Sequence, residues 1–501
     1  MNRIRILATS NINGQIDSQN ECSNTTEYMG LARLKPLVDS LRDEDTLLID
    51  NGDSLYGSPL GLFHMTVHPE DINPVSLAMK DMQYDYINIG SHDFAFGRKA
   101  LQRHLDTVGA DCTANNILYR DEPYGATYAI REIGGYKIAI FSIVSVQSQL
   151  HIRKDMRRGF RFSDPIASAK RTIELLRTIE KPDYIICMYS SGLEKNPSSN
   201  MPIQCSTDEN QGLRILNEVR GIDVLIAASE DGSCSTKYHD TLVIQVASSG
   251  KELACVDIHT DSRTIEPHIL KADCEPDAEV FESWDSEYCE YQKWLDSPVG
   301  MTDSDLLNQN TYSAMPALAA AMNSFQQSLT QTDISSVSIP ADAPGMHSEI
   351  TMRDLACLYL MNDCVCIVEL TGQLLRQYIE KTAEFLTVHD ERITAVPSAL
   401  NCNVRSFDWI SGIQYTINVA NDIGHRVSSL KKDGQDIQDS DTFTLSIPYA
   451  RLSGSDGYRI LRDAKLRGMT EASCFSNALT YIQKEKCIHA SEDNNVLIEK
   501  I

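Results

Sequence analysis

What this chain has least of is positive charge. Its 501 residues carry 45 Lys and Arg against 70 Asp and Glu, a formal net charge of 45 − 70 = −25. A surface that negative repels phosphate backbones and anionic lipid heads, so neither nucleic acid nor a membrane is an expected partner. Long apolar runs are also missing. No stretch of about 18 apolar residues occurs, and no transmembrane helix is expected. The opening MNRIRILATS lacks the apolar core of a secretory leader and passes straight into a strand pattern. Fourteen cysteines are present without a zinc-type spacing, Cys364 and Cys366 being the closest pair. With no export signal, buried thiols in a reducing cytoplasm are expected rather than disulfides. No P-loop, dinucleotide glycine fingerprint, serine triad or catalytic CxxC occurs.

What is there suffices for a large core. Apolar residues make up 42% and charged residues 23%, an ordinary composition at a length that suggests two or more domains. The first half alternates short apolar runs with helical stretches. The runs are Arg3–Thr9, Thr46–Asp50, Asp85–Ile89, Tyr136–Val144, Asp183–Met188 and Asp223–Ala227, and Ile166–Ile179 has helical spacing. Such alternation predicts an α/β domain, whose sites gather where strands stop. Positions 11–13, 50–53, 90–95, 189–192 and 228–231 are therefore the ones to inspect. Across Asp277–Asp296, Val280, Phe281, Trp284, Tyr288, Tyr291 and Leu295 fall at helical spacing, ended by Ser297-Pro298. Glu282, Glu287 and Glu290 read as the wet face of this connecting helix. The expected organisation is an N-terminal domain 1–273, a connecting helix 274–300, a second α/β domain 301–489 and a polar tail 490–501. In the second domain Leu430–Gly434 reads as a hairpin turn.

These segments resemble, in order and spacing, the two-domain 5'-nucleotidase family of metallophosphoesterases. ILATSNINGQI is similar to that family's first metal loop, LLIDNGDSLYGSPL to its GD loop and INIGSHDFAFG to its GNHE loop. IDVLIAASEDGS stands in the place of its GHSH segment. ITMRDL, VCIVELTGQLL and LSGSDGY resemble the surroundings of its nucleotide-binding site. The resemblance implies an N-terminal metallophosphoesterase-like α/β sandwich, two sheets flanked by helices, followed by a C-terminal 5'-nucleotidase-like α/β domain. It also implies hydrolysis assisted by two divalent ions about 3.5–4 Å apart, held by carboxylates, imidazoles and one amide.

Carried over residue by residue, most of that ligand set is gone. The family's aspartate–any–histidine is Asn11-Ile12-Asn13 here. Asp53 keeps the place of the bridging carboxylate. Ser91 stands for the ligand asparagine of GNHE, and His92 retains the histidine that serves the leaving group. The carboxylate that would orient His92 is Ala95, which predicts loss of tautomer control. Ser190 and Ser229 replace two ligand histidines, and Asp231 stands where the last ligand would be. The expected cofactor is none, or one weakly bound divalent cation at Asp53 and Asp231 with Asn11 or Asn13. The bland alternatives are a turn residue for Asp53 and a satisfied buried histidine for His92.

The second domain is eroded in parallel. The family's phosphate-binding arginine loop is Ser338–Pro344, with no arginine and with Asp342 in it. The two base-stacking aromatics fall at 360–363 and Ala450, leaving Tyr359 and Tyr449 as neighbours that serve only if the register slips. Asp456 of the GSDGY turn is retained. Arg353 and Arg451 are the nearest cations, and the default for each is a solvated surface residue. Two hypotheses follow. The first is a non-catalytic binding protein whose partner is a small molecule or a protein, its acidic cleft suiting a cationic ligand. The second is a divergent metal-dependent phosphohydrolase working through Asp53, His92 and Asp231.

Overall fold

The computed structural model describes residues 3–197, 199–200, 209–228, 232–282, 284–308, 312, 314–340, 343–360, 363–396, 407–489 and 495–500. The chain forms two compact units, one of residues 1–20 and 24–291, the other of residues 21–23 and 292–501.

The first unit is built on twelve strands in two six-stranded sheets. They are β1 (Arg3–Thr9), β2 (Thr46–Asp50), β3 (Tyr86–Ile87), β4 (Asp111–Cys112), β5 (Ala129–Ile133), β6 (Tyr136–Val144), β7 (Tyr184–Ser190), β8 (Val224–Ala228), β9 (Cys234–Tyr238), β10 (Thr241–Val246), β11 (Glu252–His259) and β12 (Thr264–Lys271). The first sheet runs β12-β11-β1-β2-β3-β4 and the second β9-β10-β8-β7-β6-β5. Each is parallel at its centre and antiparallel toward an edge, as with β1 on β2 and on β11. Parallel strands need helical crossovers, and the helices are α1 (Leu31–Leu41), α2 (Pro59–Val67), α3 (Pro74–Asp81), α4 (Gly97–Val108), α5 (Pro165–Leu175) and α6 (Gly212–Glu218). Ile4, Ile6, Leu47 and Ile49 of the first sheet meet Ile138, Ile140, Ile186, Met188 and Ile226 of the second in one buried layer. Phe141, Ile185 and Leu225, on the opposite face of the second sheet, pack with Ile166, Ile173 and Ile215 of α5 and α6. Both faces of these central strands are covered, which is why they read as continuous apolar runs rather than alternating ones.

The connecting segment is helical over Glu279–Glu282 and again over α7 (Asp285–Leu295). The second unit holds α8 (Ala317–Thr330), β13 (Ile334–Ser338), α9 (Met352–Leu358), β14 (Val365–Thr371), α10 (Gly372–Ala383), β15 (Asp408–Ser411), β16 (Thr442–Pro448), α11 (Tyr449–Ser453), β17 (Lys465–Met469) and α12 (Cys474–Glu485). Its main sheet runs β15-β13-β16-β14-β17. Strand Val427–Lys432 turns back through Asp433 and Gly434, both at positive φ, as the hairpin signal required. The polar tail is a correction. Val496–Glu499 forms a strand parallel to Gln414–Asn418, because Val496 and Ile498 alternate inward and are buried against that sheet. Residues 490–494 and 501 lie outside the described residues.

Candidate functional site

The site is assembled where β1, β2, β3, β6 and β7 end. Asn11, Asn13 and Asp53 all take left-handed backbone conformations, with φ of 50°, 55° and 59°. Asparagine and aspartate tolerate that region better than other side chains, so N-I-N-G and N-G-D-S are sequences suited to it. The two loops zip together as Asn11 N–H donates to the Gly52 carbonyl (3.0 Å), Asn13 N–H to that of Asp53 (2.9 Å) and Gly14 N–H to that of Ser54 (2.8 Å).

A third loop clamps the second. The Asp93 carboxylate accepts the backbone N–H groups of Asp53 (2.9 Å), Ser54 (2.8 Å), Leu55 (3.0 Å) and Gly90 (2.8 Å). Asp53 Oδ1 accepts the N–H of His92 at 2.6 Å. Gly90 makes this approach possible, since a Cβ there would lie 2.2 Å from the Asp53 carboxyl carbon. Two amides pin the sheets to each other behind the loops. Asn51 donates to the carbonyls of Tyr189 (2.9 Å) and Ile226 (3.2 Å), and Asn88 to that of Ile143 (3.3 Å). Sequence reasoning placed Asn51 and Asp93 among the positions to inspect without giving them a role, and missed Asn88. The available signal was a polar residue at an inward-pointing position where an apolar strand stops, since a buried polar group there needs partners.

His92 corrects an expectation. Ala95 cannot orient it, but Asn13 Oδ1 stands 3.1 Å from His92 Nδ1. An amide oxygen accepts only from a protonated nitrogen, so the contact holds the proton on Nδ1 and leaves Nε2 as the basic nitrogen. Tautomer control is therefore kept, while the charge that a carboxylate would have added is not. Ser91 is half-buried beside it. Ser190, at the end of β7, is 3% exposed and its Oγ has no hydrogen-bond partner among the described residues. Ser229, Glu230 and Asp231 lie outside the described residues.

Near these loops stands a set of groups the sequence did not single out. Glu209 accepts from Ser148 Oγ at 3.0 Å and meets His151 Nε2 at 2.8 Å, while its backbone carbonyl takes the Tyr189 hydroxyl at 2.6 Å. Burial pushes the Glu209 carboxyl up. The charge and hydrogen bond of His151, the Ser148 bond and the more distant His92 outweigh it and hold the group below its usual range. Asp50, wholly buried, is pushed up to about 7 by burial, against hydrogen bonds from Ser54, Thr9 and Gly52 and with the Asp93 charge adding to the rise. The folded state thus keeps a proton that the unfolded chain releases. Its contribution to stability is present at low pH and lost as pH rises toward 7. Asp50→Asn is accordingly expected to gain on the wild type by on the order of 1–3 kcal/mol between pH 5 and pH 8. Paired denaturation curves across that range check it, and a pH-independent difference would contradict it.

Among the described residues the donor set is short of charge for a pair of divalent ions. Of Asn11, Asn13, Asp53, Ser91 and Ser190, only Asp53 carries charge, and one of its oxygens is already taken by His92 N–H. Serine is a weak, short substitute for imidazole. Among the described residues no group of three His, Cys, Asp or Glu side chains is placed to hold a metal ion.

In the second unit Tyr449 is 7% exposed at the start of α11, its N–H bonded to the Cys364 carbonyl at 2.9 Å. Tyr359 closes α9, half-buried. Asp456 sits at φ 52° and is paired with Arg451. Arg451 is no solvated surface residue. It is 5% exposed, bonds Asp408 Oδ1 through Nε (3.1 Å) and Nη2 (2.8 Å), and lies 4.3 Å over the Tyr458 ring. Arg353 is likewise engaged, with Glu21 and Asp296. Both candidate anion-binding cations are thus matched by carboxylates of the same unit. Asp342 lies outside the described residues.

Comparison with known proteins agrees with this architecture. A family profile for the 5'-nucleotidase C-terminal domain matches residues 298–463. The trifunctional nucleotide phosphoesterase YfkN of Bacillus subtilis is 24% identical over 98% of this chain, which spans 38% of that longer protein. The 2',3'-cyclic-nucleotide 2'-phosphodiesterase/3'-nucleotidase of Salmonella typhimurium is 20% identical, covering 90% of this chain and 81% of its own. A candidate 5'-nucleotidase of Staphylococcus aureus, solved in complex with α-ketoglutarate, superposes over 100% of both chains with a TM-score of 0.92 at 20% identity. The likeness in structure is a likeness of fold.

Proposed function

We propose that this chain, which belongs to the two-domain 5'-nucleotidase family, binds a small polar molecule at the strand ends of its first unit and does not carry out two-metal phosphoester hydrolysis. The observation that carries this reading is Ser190. A hydroxyl that is buried without a partner stands where the family resemblance places a ligand imidazole. A buried polar atom without a bond costs about 1–3 kcal/mol, which a hydrogen-bonding ligand relieves. Asn11 and Asn13 support the reading, since neutral amides supply hydrogen bonds but none of the charge that two dications need. In the second unit, the pairing of Asp456 with Arg451 engages a group that the resemblance would give to a nucleoside.

A second reading, a phosphohydrolase with a reduced site, is favoured by one feature: His92 keeps an oriented ring with Nε2 as its basic nitrogen. One experiment separates the two. Phosphate release is measured from nucleoside monophosphates and 2',3'-cyclic nucleotides with manganese, magnesium or zinc, beside Asp53→Asn. No release above buffer is expected from either protein. A metal at 100 times its dissociation constant would stabilise the fold by about 2.7 kcal/mol, so an unchanged melting temperature in millimolar manganese is also expected. Turnover abolished by Asp53→Asn would overturn the first reading in favour of the second. For ligand binding, a thermal-shift panel begins with α-ketoglutarate, the compound held by the Staphylococcus protein.

A further inference from the structure

Away from these loops, α2 and α7 meet through four titratable side chains. His64 lies on α2 and His68 caps its C-terminal end, its N–H bonded to the His64 carbonyl at 2.7 Å. Glu287 and Glu290 are spaced by three on α7. His64 Nδ1 is 2.6 Å from Glu287 Oε1, and His68 Nε2 is 2.9 Å from Glu290 Oε2. Glu287 and Glu290 are therefore not simply the wet face of the connecting helix that its spacing suggested. His64 is 1% exposed, so one pair is inside the contact and the other at its rim. Between them Phe63 packs on Tyr291, ring centres 5.4 Å apart, and on the His68 ring at 5.6 Å. Trp284 and Tyr291 are buried along the same segment, so the histidine–glutamate pairs add a polar rim to an apolar contact.

We propose that this contact is a proton-operated latch: the start of α7 is held at the end of α2 while the His68 imidazole carries its charge against Glu290 and Asp71, and the first two turns of α7 loosen when it does not. A neutral imidazole still forms a hydrogen bond to a carboxylate but loses the charge that makes the bond strong. The other ionisable groups around the contact are Glu70 and Asp71 after α2, Arg103 and His104 on α4, and Asp17 beside Tyr288. Asp71 reinforces the latch at 3.2 Å from His68 Nδ1. Arg103 bonds Glu70 and the carbonyls of Pro69 and Asp71, so its charge is already engaged. His104 bonds Ser76 Oγ through Nδ1 at 2.8 Å. The hydrogen bond to Glu290 is the main cause that raises the His68 pKa. A raised imidazole value gives stability that is fully present below the unfolded value and is lost as pH rises through the folded one.

Global unfolding would blur this, because His104 acts in the opposite sense. Burial holds it down to about 4, so its contribution is lost as pH falls. The test therefore reads the helix itself. Hydrogen exchange of the 285–291 amides, corrected for the intrinsic pH dependence, is followed from pH 6 to pH 9. Protection is expected to fall roughly fivefold across that range as the charge that strengthens the His68–Glu290 bond is lost. The amides of β6 serve as reference and should stay constant. In His68→Gln and in Glu290→Gln, both at partly exposed positions that tolerate change, the low-pH gain should shrink toward the alkaline value. Protection that is flat in the wild type, or that falls equally in both variants, would overturn the latch.

Discussion

Arg451→Ala is expected to destabilise the second unit by about 3–5 kcal/mol, the cost of breaking a buried ion pair from one side. The variant leaves Asp408, 2% exposed, without the guanidinium that bonds its Oδ1. Tyr378 still donates to Oδ2 at 2.6 Å, and the Asp408 N–H still reaches Thr382 Oγ1 at 2.7 Å. Those bonds hold the carboxylate in place and prevent its escape to water. The variant also removes the cation from the face of Tyr458 and frees Asp456, the residue that the family resemblance marks for substrate. Arg451→Met combined with Asp408→Asn should recover most of the loss, since removing both charges costs far less than stranding one. A double-mutant cycle on the denaturation midpoint, followed by the fluorescence of neighbouring Trp409, measures this. A loss below about 1 kcal/mol for Arg451→Ala, the range of an exposed pair, would show that the network contributes little.

Asp93→Asn should cost the first unit about 3 kcal/mol or more. Four backbone N–H groups converge on this carboxylate from two loops, and hydrogen bonds to a charged acceptor are worth about 1.5–3 kcal/mol each in favourable cases. Asparagine keeps one acceptor oxygen and turns an NH2 group toward donors, so at least one N–H is left buried and unpaired. Asp53→Asn is the informative comparison. Its Oδ1 accepts the His92 N–H, and a change of roughly 1 kcal/mol is expected. If Asp53→Asn proves the more damaging, the loops are organised around Asp53 and not around Asp93. That outcome would also count against the hydrolase reading, since a carboxylate held for a metal is one the fold does not otherwise need.

Several elements were legible in the sequence because a single local rule decides them. β1, β2 and β6 begin and end where their apolar runs do. The substitutions at 11, 13, 91 and 190 could be read in the same way, because the chemistry of a ligand depends first on residue type. What stayed hidden were pairings. Nothing local in GSHD says that its aspartate caps a loop forty residues earlier. Nothing in NIN says that the second asparagine orients a histidine 79 positions away. Arginine 451 was judged by the average behaviour of arginine, and the two carboxylates that bury it lie 43 and 5 residues distant. The polar tail was misjudged because Val496 and Ile498 need a neighbouring strand before their alternation means anything.

By itself, then, the sequence determined the α/β class, the resemblance to the nucleotidases, the places where strands stop and the neutral residues at positions 11, 13, 91 and 190. These depend on periodicity and on residue type, which are properties of a short window. Only the tertiary structure decided that the loops at Asn11, Asp53 and Gly90 bond to one another, that Asn13 orients His92 and that Arg451 is matched. Each of those rests on a hydrogen bond or an ion pair between distant residues, and its strength comes from burial that no single segment can supply.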